Sequence, residues 1–345
     1  MKALLKKNPE RGASLVDLPP PPIGENDLLV QVKAAAICGT DIHIFQWNEY
    51  AASRIKIPMV FGHEYSGDVV AIGSNVRNFR VGDRVAAETH VPCGHCFQCT
   101  TGLQHICREM KILGVHVDGA FADYTVLPQA CAWKLHPSIS YKIGSTMEPF
   151  GIGVHALSKT KPAGKKVVVF GCGPIGIYAQ MVAKQSGAEC VIGIDIARER
   201  LELAKKMGSD RVLNAKETDV AAEIDEITKG SGADIVVELT GSQAAVKNAT
   251  RVLRRGGDLV FVGLFSGPVE IDLTSDVIYK EANVYGVTGR IMWDTWWSAQ
   301  SMILSGKMNI EPVITHEFGL EDFDRAFKLA ESGKTGKIIF NQAPS

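Results

Sequence analysis

The chain has 345 residues, more than one hydrophobic core usually organises, so we expect two domains. Its 37 basic and 38 acidic residues nearly cancel, which excludes a global field that would attract nucleic acid or an anionic membrane. Because residues 1–7 are too short an apolar stretch for a secretory signal and nowhere do eighteen apolar residues run together, we expect a cytoplasmic protein that binds a small molecule, no nucleic acid and no membrane.

Short β-prone stretches, broken by Gly and Pro, dominate the first 150 residues. Residues 28–33, 67–73 and 120–126 are rich in the β-branched and aromatic side chains that are typical of strands. We therefore predict a compact β-rich domain in this part of the chain.

Potential metal ligands occur within this β-rich part. Residues 36–43 contain Cys38, and His63 and Glu64 follow on the next segment. A zinc ion that acts as a Lewis acid needs Cys, His and carboxylate ligands and an open coordination position. Cys38 and His63 suit such a site, which either Glu64 or Glu148 could complete. Either of the first two residues alone would more often be a packed thiol or a loop histidine, but together they predict a catalytic zinc site.

A second cluster contains four cysteines, Cys93, Cys96, Cys99 and Cys107. Four thiolates at such close spacing form a closed tetrahedral cage, which is typical of a structural zinc site. An iron–sulfur cluster is less favoured, because seven residues precede the last cysteine and Arg108 follows it. Disulfides are disfavoured in a chain without a secretory signal. The remaining cysteines, which we expect to be reduced and packed, are Cys131, Cys172 and Cys190.

From about residue 160 the pattern changes to apolar strands that alternate with amphipathic helices, which is typical of a parallel sheet covered on both faces. The predicted strands are 166–170, 190–195, 234–238 and 258–262, and the predicted helices are 175–186 and 198–207. We therefore expect a second, α/β domain.

Three glycines follow the first strand of this domain. Gly171 permits a sharp turn, Gly173 allows the backbone to approach a pyrophosphate, and Gly176 permits close packing of helix on strand. Such a pattern alone often marks only a tight turn. Here Asp195 ends the next strand nineteen residues after the last glycine, where a carboxylate binds the ribose of NAD. The alternative role of Asp195 is a helix cap, and the nearby Arg198 and Arg200 weaken the preference for NAD over NADP.

The last part of the chain begins with an aromatic cluster of Trp293, Trp296 and Trp297. Aromatic side chains at this spacing more often form a core or a subunit interface than a cofactor site. A helix is predicted at 320–332 and a strand at 337–340.

The segment from Gly62 to Gly67, with Gly73 and Val76, resembles the signature of the zinc-containing medium-chain alcohol dehydrogenase family, and the resemblance extends over essentially the whole chain. Within that family, the chain is most similar to the branch that oxidises the 3-hydroxyl of L-threonine. The segments that carry this second likeness are 38–49, 148–151, 289–290, 295–297 and 314–316.

The resemblance implies an α/β architecture with two domains. A GroES-like β-rich catalytic domain would span residues 1–150, with a structural-zinc lobe at about 90–110. A doubly wound, Rossmann-type parallel sheet that binds NAD would span 151–289, and residues 290–345 would return to the catalytic domain. It also implies a homotetramer.

The resemblance also assigns roles to individual residues. The implied ligands of a catalytic zinc ion are Cys38, His63 and Glu64, and those of a structural zinc ion are Cys93, Cys96, Cys99 and Cys107. The implied cofactor contacts, besides the three glycines, are Ile175, Asp195, Arg200, Val262, Gly263, Leu264, Val287 and Thr288.

Further residues are expected to act on the substrate. Thr40 and His43 would relay the hydroxyl proton to solvent while NAD accepts a hydride, although Thr40 could instead cap a turn and His43 merely pack. Glu148 would approach the metal or pair with the ammonium of threonine. Arg290 would bind its carboxylate, or alternatively contact the cofactor or another subunit.

Substrate preference is less firmly predicted than reaction type. Residues 152 and 153 are Ile and Gly, where relatives commonly carry an asparagine. Oxidation of a polyol or of 2,3-butanediol is therefore the nearest alternative. A non-catalytic binding module on the same fold is a remote one, because the metal and relay residues are all present.

Overall fold

The computed structural model describes residues 1–342, which contacts divide into two compact units. The first unit contains Met1–Pro149, Arg290–Leu304 and the chain from Ile314 onward, and the second contains Phe150–Gly289 and Ser305–Val313. Our predicted boundaries placed all of 290–345 in the first domain, whereas residues 305–313 pack with the second unit.

Strands and helices are numbered in chain order. The strands are β1 (Lys2–Lys6), β2 (Ser14–Asp17), β3 (Asp27–Ala36), β4 (Met59–Val60), β5 (Glu64–Ile72), β6 (Arg84–Ala87), β7 (His90–Val91), β8 (Lys111–Ile112), β9 (Tyr124–Pro128), β10 (Ala132–Lys134), β11 (Lys166–Phe170), β12 (Cys190–Asp195), β13 (Arg211–Asn214), β14 (Ala233–Glu238), β15 (Leu253–Phe261), β16 (Asn283–Gly286), β17 (Ile314–Phe318) and β18 (Lys337–Asn341). The α-helices are α1 (Gly39–Gln46), α2 (Glu49–Arg54), α3 (Phe97–Thr100), α4 (Tyr141–Ser158), α5 (Pro174–Gln185), α6 (Arg198–Lys206), α7 (Val220–Thr228), α8 (Gln243–Val252), α9 (Asp294–Leu304) and α10 (Phe323–Glu331).

The first unit is built around a seven-stranded sheet in the order β10-β6-β5-β3-β18-β17, with β9 also paired to β3. Alternate residues of β3, such as Leu28, Val30 and Val32, are fully buried, as the two-residue period of a strand requires. Strand β18, from the last part of the chain, pairs with β3, and β3 leads into α1.

Helix α1 is fixed at both ends. Cys38 is its N-cap residue, and the Asp41 carboxylate accepts a hydrogen bond from the Cys38 backbone N–H at 2.9 Å. At the other end the ring of Phe45 stacks on Phe327 of α10, with 4.4 Å between centroids and 3° between planes. This packing buries the face of α1 opposite His43 and so fixes the orientation of the helix that carries the candidate relay residues.

The second unit contains a parallel six-stranded sheet in the order β13-β12-β11-β14-β15-β16. Its central strand β11 is an apolar run, because both faces of the sheet are buried. The strand order reverses between β11 and β14, and ligands of doubly wound folds bind at such a switch point. The predicted fold class, a β-rich domain with a doubly wound parallel-sheet domain, is confirmed.

Element boundaries differ from the prediction at several places; β15, for example, begins at Leu253 rather than at residue 258. Residues 120–123 lie outside any strand, and β9 begins only at Tyr124, because the chain first makes an isolated bridge from Ala122 to Ala3. The last helix begins at Phe323, after a short 3-10 turn. None of the helices within residues 1–342 combines the length and the hydrophobicity of a membrane span.

The tryptophan cluster lies in the first unit around Trp133 of β10. Trp293, Trp296 and Trp297 have ring centroids 5.6, 5.7 and 4.9 Å from that of Trp133. Trp296 is buried, whereas Trp297 is 62 % exposed. The cluster is therefore partly core, and Trp297 remains available to solvent or to another chain.

Candidate metal centres and cofactor site

The four cysteines of the second cluster converge on one point in the first unit. The separations between sulfur atoms include 3.5 Å for Cys96–Cys99, 3.8 Å for Cys96–Cys107 and 3.9 Å for Cys93–Cys99. Zinc–sulfur bonds of about 2.3 Å in a tetrahedron give sulfur–sulfur edges of about 3.8 Å. These cysteines therefore suit a single tetrahedral ion, and an iron–sulfur cluster, which spreads its cysteines over several irons, would not fit.

The surrounding backbone also favours thiolates at this cluster. The backbone N–H groups of Cys93 and Glu109 both lie 3.3 Å from Cys107 Sγ, and that of Cys96 lies 3.4 Å from Cys93 Sγ. N–H donors that point at sulfur stabilise the charged form that a metal requires. All eight cysteines are free of disulfides, with Cys131 and Cys172 buried and Cys190 partly exposed.

The candidate catalytic ligands also come together in the first unit. One ligand atom each of Cys38, His63 and Glu64 lies within 4.8 Å of the other two. Cys38 ends the link from β3 to α1, whereas His63 and Glu64 lead into β5, so two neighbouring strands of one sheet supply the three ligands. Three protein ligands leave one position open, as catalytic zinc sites require.

Asp41 orients the imidazole of His63, although the sequence did not single it out. The Asp41 side chain is fully buried, and its Oδ1 lies 3.4 Å from His63 Nδ1. Neither atom has a hydrogen-bond partner in the structure. A cation on His63 Nε2 would leave the proton on Nδ1, facing Asp41, which is the usual carboxylate–histidine–metal arrangement. The donor set therefore fits a zinc ion.

Glu64 has a buried counter-charge that sequence analysis did not find. The Lys337 ammonium contacts both Glu64 carboxylate oxygens and also donates to the Ile37 carbonyl at 3.1 Å. Burial raises the pKa of Glu64 to about 7, even though the Lys337 charge opposes this. A metal ion at Cys38 and His63 would therefore share the Glu64 carboxylate with Lys337.

Arg290 lies at the centre of a second buried charge network. Its Nε donates to Glu88 Oε2 at 2.9 Å, Nη2 contacts the other Glu88 oxygen, and Nη1 contacts Glu148 Oε1. Trp296 Nε1 and the His90 backbone N–H also donate to Glu88, at 2.8 and 2.9 Å. Burial alone would raise the pKa of Glu88, but Arg290 and His90 lower it far below its ordinary range.

This network bears on the predicted role of Arg290. Its side chain is 1 % exposed and already pairs with two carboxylates of the chain itself, so a substrate carboxylate would have to displace one of them. In the structure Arg290 is the counter-ion of Glu88 and Glu148, and its binding of a substrate carboxylate stays a prediction. The signal missed in the sequence was Glu88, an acidic residue at the end of the apolar strand β6.

Glu148 lies near the catalytic cluster without belonging to it. Its ligand oxygen is not among the three atoms that lie within 4.8 Å of one another. Its hydrogen bonds with the described residues, to Arg290 and to Thr89 at 3.2 Å, both use Oε1. Oε2 is therefore the oxygen that can reach a ligand.

Thr40 and His43 lie three residues apart on α1, so they share one face of the helix. Thr40 is partly buried and His43 is exposed. Partial loss of hydration lowers the pKa of His43 below its ordinary value. This placement agrees with a path from a buried hydroxyl to solvent.

The three glycines of the second unit have the backbone conformation and the close contacts that a dinucleotide-binding loop requires. Gly171 has φ of +97°, which other residues rarely adopt. A Cβ at Gly176 would meet the Gly171 carbonyl at 1.8 Å, so only glycine allows this helix–strand contact. A Cβ at Gly173 would meet only the Arg200 guanidinium, at 3.9 Å, which leaves the backbone open to a pyrophosphate. Ile175 follows in the first turn of α5.

Asp195 is hydrogen-bonded to this loop. One of its oxygens accepts from the Cys172 backbone N–H at 2.7 Å, and the other accepts from Ile196 and Ala197 at 2.7 and 2.9 Å. Arg200 lies 4.0 Å from the first oxygen. Asp195 therefore supports the turn before α6 and does not cap that helix, whose N-cap residue is Ala197. Its carboxylate lies beside the glycine loop.

The later cofactor segments follow neighbouring strands. Val262, Gly263 and Leu264 follow β15, with the first two backbone N–H groups donating to the Glu238 carbonyl at 2.9 and 3.0 Å. Val287 and Thr288 follow β16. Leu264 is 75 % exposed. These residues lie at the carboxyl ends of parallel strands, where doubly wound folds bind ligands.

Ile152 and Gly153, the departure from relatives, lie on α4. A Cβ at Gly153 would meet the Ala179 backbone nitrogen at 2.9 Å, so glycine permits the close contact of α4 with α5. Ile152 is half-buried.

Comparison with known proteins decides the family. The family described as "Alcohol dehydrogenase GroES-like domain" matches residues 24–137, and "Zinc-binding dehydrogenase" matches residues 174–303. An L-threonine 3-dehydrogenase from Bacillus licheniformis is 44 % identical over 98 % of both chains. The chain belongs to the zinc-containing medium-chain alcohol dehydrogenase family. An L-threonine 3-dehydrogenase from Pyrococcus furiosus is 42 % identical over 99 % of this chain and 98 % of its own.

Solved structures agree with the family assignment. An alcohol dehydrogenase from Escherichia coli in complex with NADH superposes with a TM-score of 0.91 at 29 % identity, over 99 % of both chains. A 2R,3R-butanediol dehydrogenase from Bacillus subtilis gives 0.89 at 28 % identity, also over 99 % of both. The predicted family, enzyme class and cofactors are confirmed: the protein is an oxidoreductase of the alcohol dehydrogenase type that uses zinc and NAD.

Asp195→Asn is expected to change cofactor preference. The substitution keeps one acceptor oxygen for the turn but removes the charge that binds a ribose hydroxyl and repels a 2′-phosphate. We expect the ratio of kcat/KM with NADP to that with NAD to rise roughly tenfold, since a hydrogen bond to a charged group contributes about 1.5 kcal/mol or more. Steady-state kinetics with both cofactors measures it. Asp219→Asn, at the N-cap of α7, is the control and should leave the ratio unchanged.

Proposed function

We propose that this enzyme oxidises the 3-hydroxyl of L-threonine with NAD and gives L-2-amino-3-oxobutanoate. The observation that carries the proposal is identity of 42–44 % over nearly the whole chain with enzymes that are named L-threonine 3-dehydrogenases. The cluster of Cys38, His63 and Glu64 supplies the metal ligands that this reaction needs.

The reaction removes a hydride from the carbinol carbon and a proton from its oxygen. When bound, zinc supplies a Lewis acid for the hydroxyl and NAD supplies the hydride acceptor. Thr40 and His43, on one face of α1, move the proton from the substrate hydroxyl towards solvent. Because His43 is exposed, it can exchange that proton with water.

Glu148 is suited to the charge of an amino acid substrate. A buried ammonium needs a carboxylate partner, and Oε2 of Glu148 is free of hydrogen bonds to the described residues. A diol has no ammonium, so it could donate a hydrogen bond to this carboxylate but could not form an ion pair with it. The charge of Glu148 therefore favours threonine over 2,3-butanediol.

Oxidation of 2,3-butanediol is the second candidate, because an enzyme with that activity shares the fold. Its identity to this chain, 28 %, is well below that of the threonine dehydrogenases. Both reactions require the same zinc and cofactor chemistry. Only the substrate distinguishes the two.

The test measures formation of NADH or NADPH by the zinc-loaded enzyme at mildly alkaline pH. The substrates are L-threonine, L-threonine amide, 2,3-butanediol and sorbitol, and each is tested with NAD and with NADP. We expect the highest kcat/KM with L-threonine and NAD. Turnover of the amide at a comparable rate would show that the enzyme recognises the ammonium but not the carboxylate. A preference for either diol or polyol would reject threonine as the substrate.

We further propose that the protein is a cytoplasmic homotetramer. Strand β16 is an edge strand whose outer backbone groups can pair with a second copy, and Val284 on it is 44 % exposed. Leu273, Ile278 and Tyr279, just before it in the chain, are more than 60 % exposed. The eight free cysteines agree with a reducing compartment.

Light scattering on the protein as it elutes from a size-exclusion column is expected to give the mass of four 37.3 kDa chains. Val284→Lys should reduce the assembly, because a charge on an edge strand opposes strand pairing. Val81→Lys, at a 60 % exposed position of the first unit, is the control and should leave the mass unchanged. A tetramer that persists in the Val284 variant would exclude this edge as an interface.

A further inference from the structure

His43 has a close polar neighbour at the turn between α1 and α2. Asn48 Nδ2 lies 2.6 Å from His43 Nδ1. Asn48 is also the N-cap residue of α2, and its Oδ1 accepts a hydrogen bond from the Ala51 backbone N–H at 3.3 Å. The same amide therefore joins the cap of α2 to the imidazole at the other side of the turn.

The cap determines which way the amide points. Because Oδ1 accepts from Ala51, the NH2 group is the one that faces His43. An NH2 group only donates, so Nδ1 must be the accepting nitrogen. A neutral imidazole with an accepting Nδ1 carries its proton on Nε2.

The backbone holds this pair together. The Asn48 backbone N–H donates to the His43 carbonyl at 3.3 Å. Trp47, between the two helices, adopts a left-handed conformation with φ of +54° and donates to the Ile44 carbonyl at 3.2 Å. Asn48 is thus positioned by the end of α1 as well as by the start of α2.

Other groups near the imidazole do not fix its tautomer. The Tyr50 ring lies 5.5 Å from that of His43, tilted by 40°, and the Arg54 guanidinium lies 4.3 Å from the Tyr50 centroid. Glu49, the remaining ionisable residue at the start of α2, is exposed. Asp41, on α1 itself, is buried against Cys38 and His63.

We propose that Asn48 is a positioning residue that holds His43 neutral, in the Nε2-protonated tautomer. This inference rests on the proposed role of His43 in proton transfer. The vacant lone pair of the ring is on Nδ1, which Asn48 covers, so uptake of a proton requires the amide to turn away. Protonation with the amide in place would put two N–H donors against each other, which disfavours the charged ring in addition to the partial burial that lowers the pKa of His43.

Two substitutions separate this role from the capping role. Asn48→Asp and Asn48→Ser both keep a good N-cap, so α2 should remain folded. In Asn48→Asp the carboxylate accepts from Nδ1–H, which moves the proton to Nδ1 and should raise the pKa of His43 by about one pH unit or more. In Asn48→Ser the opposing N–H is lost, and the pKa should rise by less than in Asn48→Asp, because the partial burial that lowers it remains.

The first readout is independent of activity. Nitrogen-15 NMR of histidine-labelled, zinc-loaded protein, with His43 assigned by comparison with His43→Gln, reports the tautomer and the pKa of the ring. We expect an Nε2-protonated ring in the unmodified chain and an Nδ1-protonated ring in Asn48→Asp. Asn75→Ser, at an exposed asparagine, is the matched control and should not change the His43 signals. An unchanged tautomer and pKa in Asn48→Asp would overturn the proposal.

The second readout is the pH profile of kcat. If neutral His43 accepts the proton, the acid limb should move to higher pH in Asn48→Asp by the same amount as the pKa seen by NMR. A change in the pKa of His43 with no matching change in the acid limb of kcat would overturn the role of Asn48 in turnover. Absence of threonine oxidation by the unmodified enzyme would reject the proposed function, whereas the NMR result would still decide the tautomer.

Discussion

Cys38→Ala is expected to leave a folded protein that holds one zinc ion per chain in place of two. The remaining ion stays at Cys93, Cys96, Cys99 and Cys107, whose closed geometry does not depend on the first cluster. Because a Lewis-acid metal contributes several kcal/mol of charge stabilisation, kcat/KM for oxidation should fall by roughly three orders of magnitude. Metal analysis by mass spectrometry and initial rates measure the two effects.

Cys190→Ala is the matched control for this substitution. Cys190 is a partly exposed free thiol on β12, outside both metal clusters. We expect this variant to retain two zinc ions and full activity. Two zinc ions in the Cys38 variant together with full activity would show that Cys38 is not a ligand.

Arg290→Met is expected to lower the free energy of unfolding by about 3–5 kcal/mol, because it leaves a buried carboxylate without its partner. Glu88 is fully buried, and Glu148 loses the same counter-charge. The Arg290 guanidinium lowers the pKa of Glu88 in the folded chain, so this pairing stabilises the fold above the ordinary glutamate pKa and is lost as the pH falls. In the variant, the burial that raises the pKa of Glu88 acts without this opposing charge, so Glu88 is protonated more at pH 5 than at pH 8. The deficit of the variant should therefore be larger at pH 8 than at pH 5.

Urea denaturation at both pH values measures the deficit. Arg11→Met is the control, because Arg11 pairs with Glu331 at the exposed surface and its loss should have little effect. Adding Glu88→Gln to Arg290→Met should restore part of the stability, since it removes the uncompensated charge. Unchanged stability with a higher KM for threonine would instead support a substrate-binding role for Arg290.

Much of the candidate site could be predicted because its residues are close in the sequence. The four cysteines lie within fifteen residues, and the three glycines within six. Spacing this short leaves few arrangements of the backbone, so the residue types alone indicate the chemistry. The strands and helices of the second unit were predictable for a related reason, since their apolar pattern repeats with the period of each element.

The sequence by itself determined the four-cysteine cluster, the dinucleotide loop and the alternation of strands and helices, because each depends on neighbouring residues. For the other cluster it indicated Cys38 and His63, and the fold placed Glu64 rather than Glu148 beside them. Only the tertiary structure decided the partners of the buried charges. Glu64 meets Lys337 across 273 residues, and Glu88 meets Arg290 across 202. A buried charge needs a partner, but the sequence does not show which residue it is, because the segments that carry the two charges meet only in the folded unit.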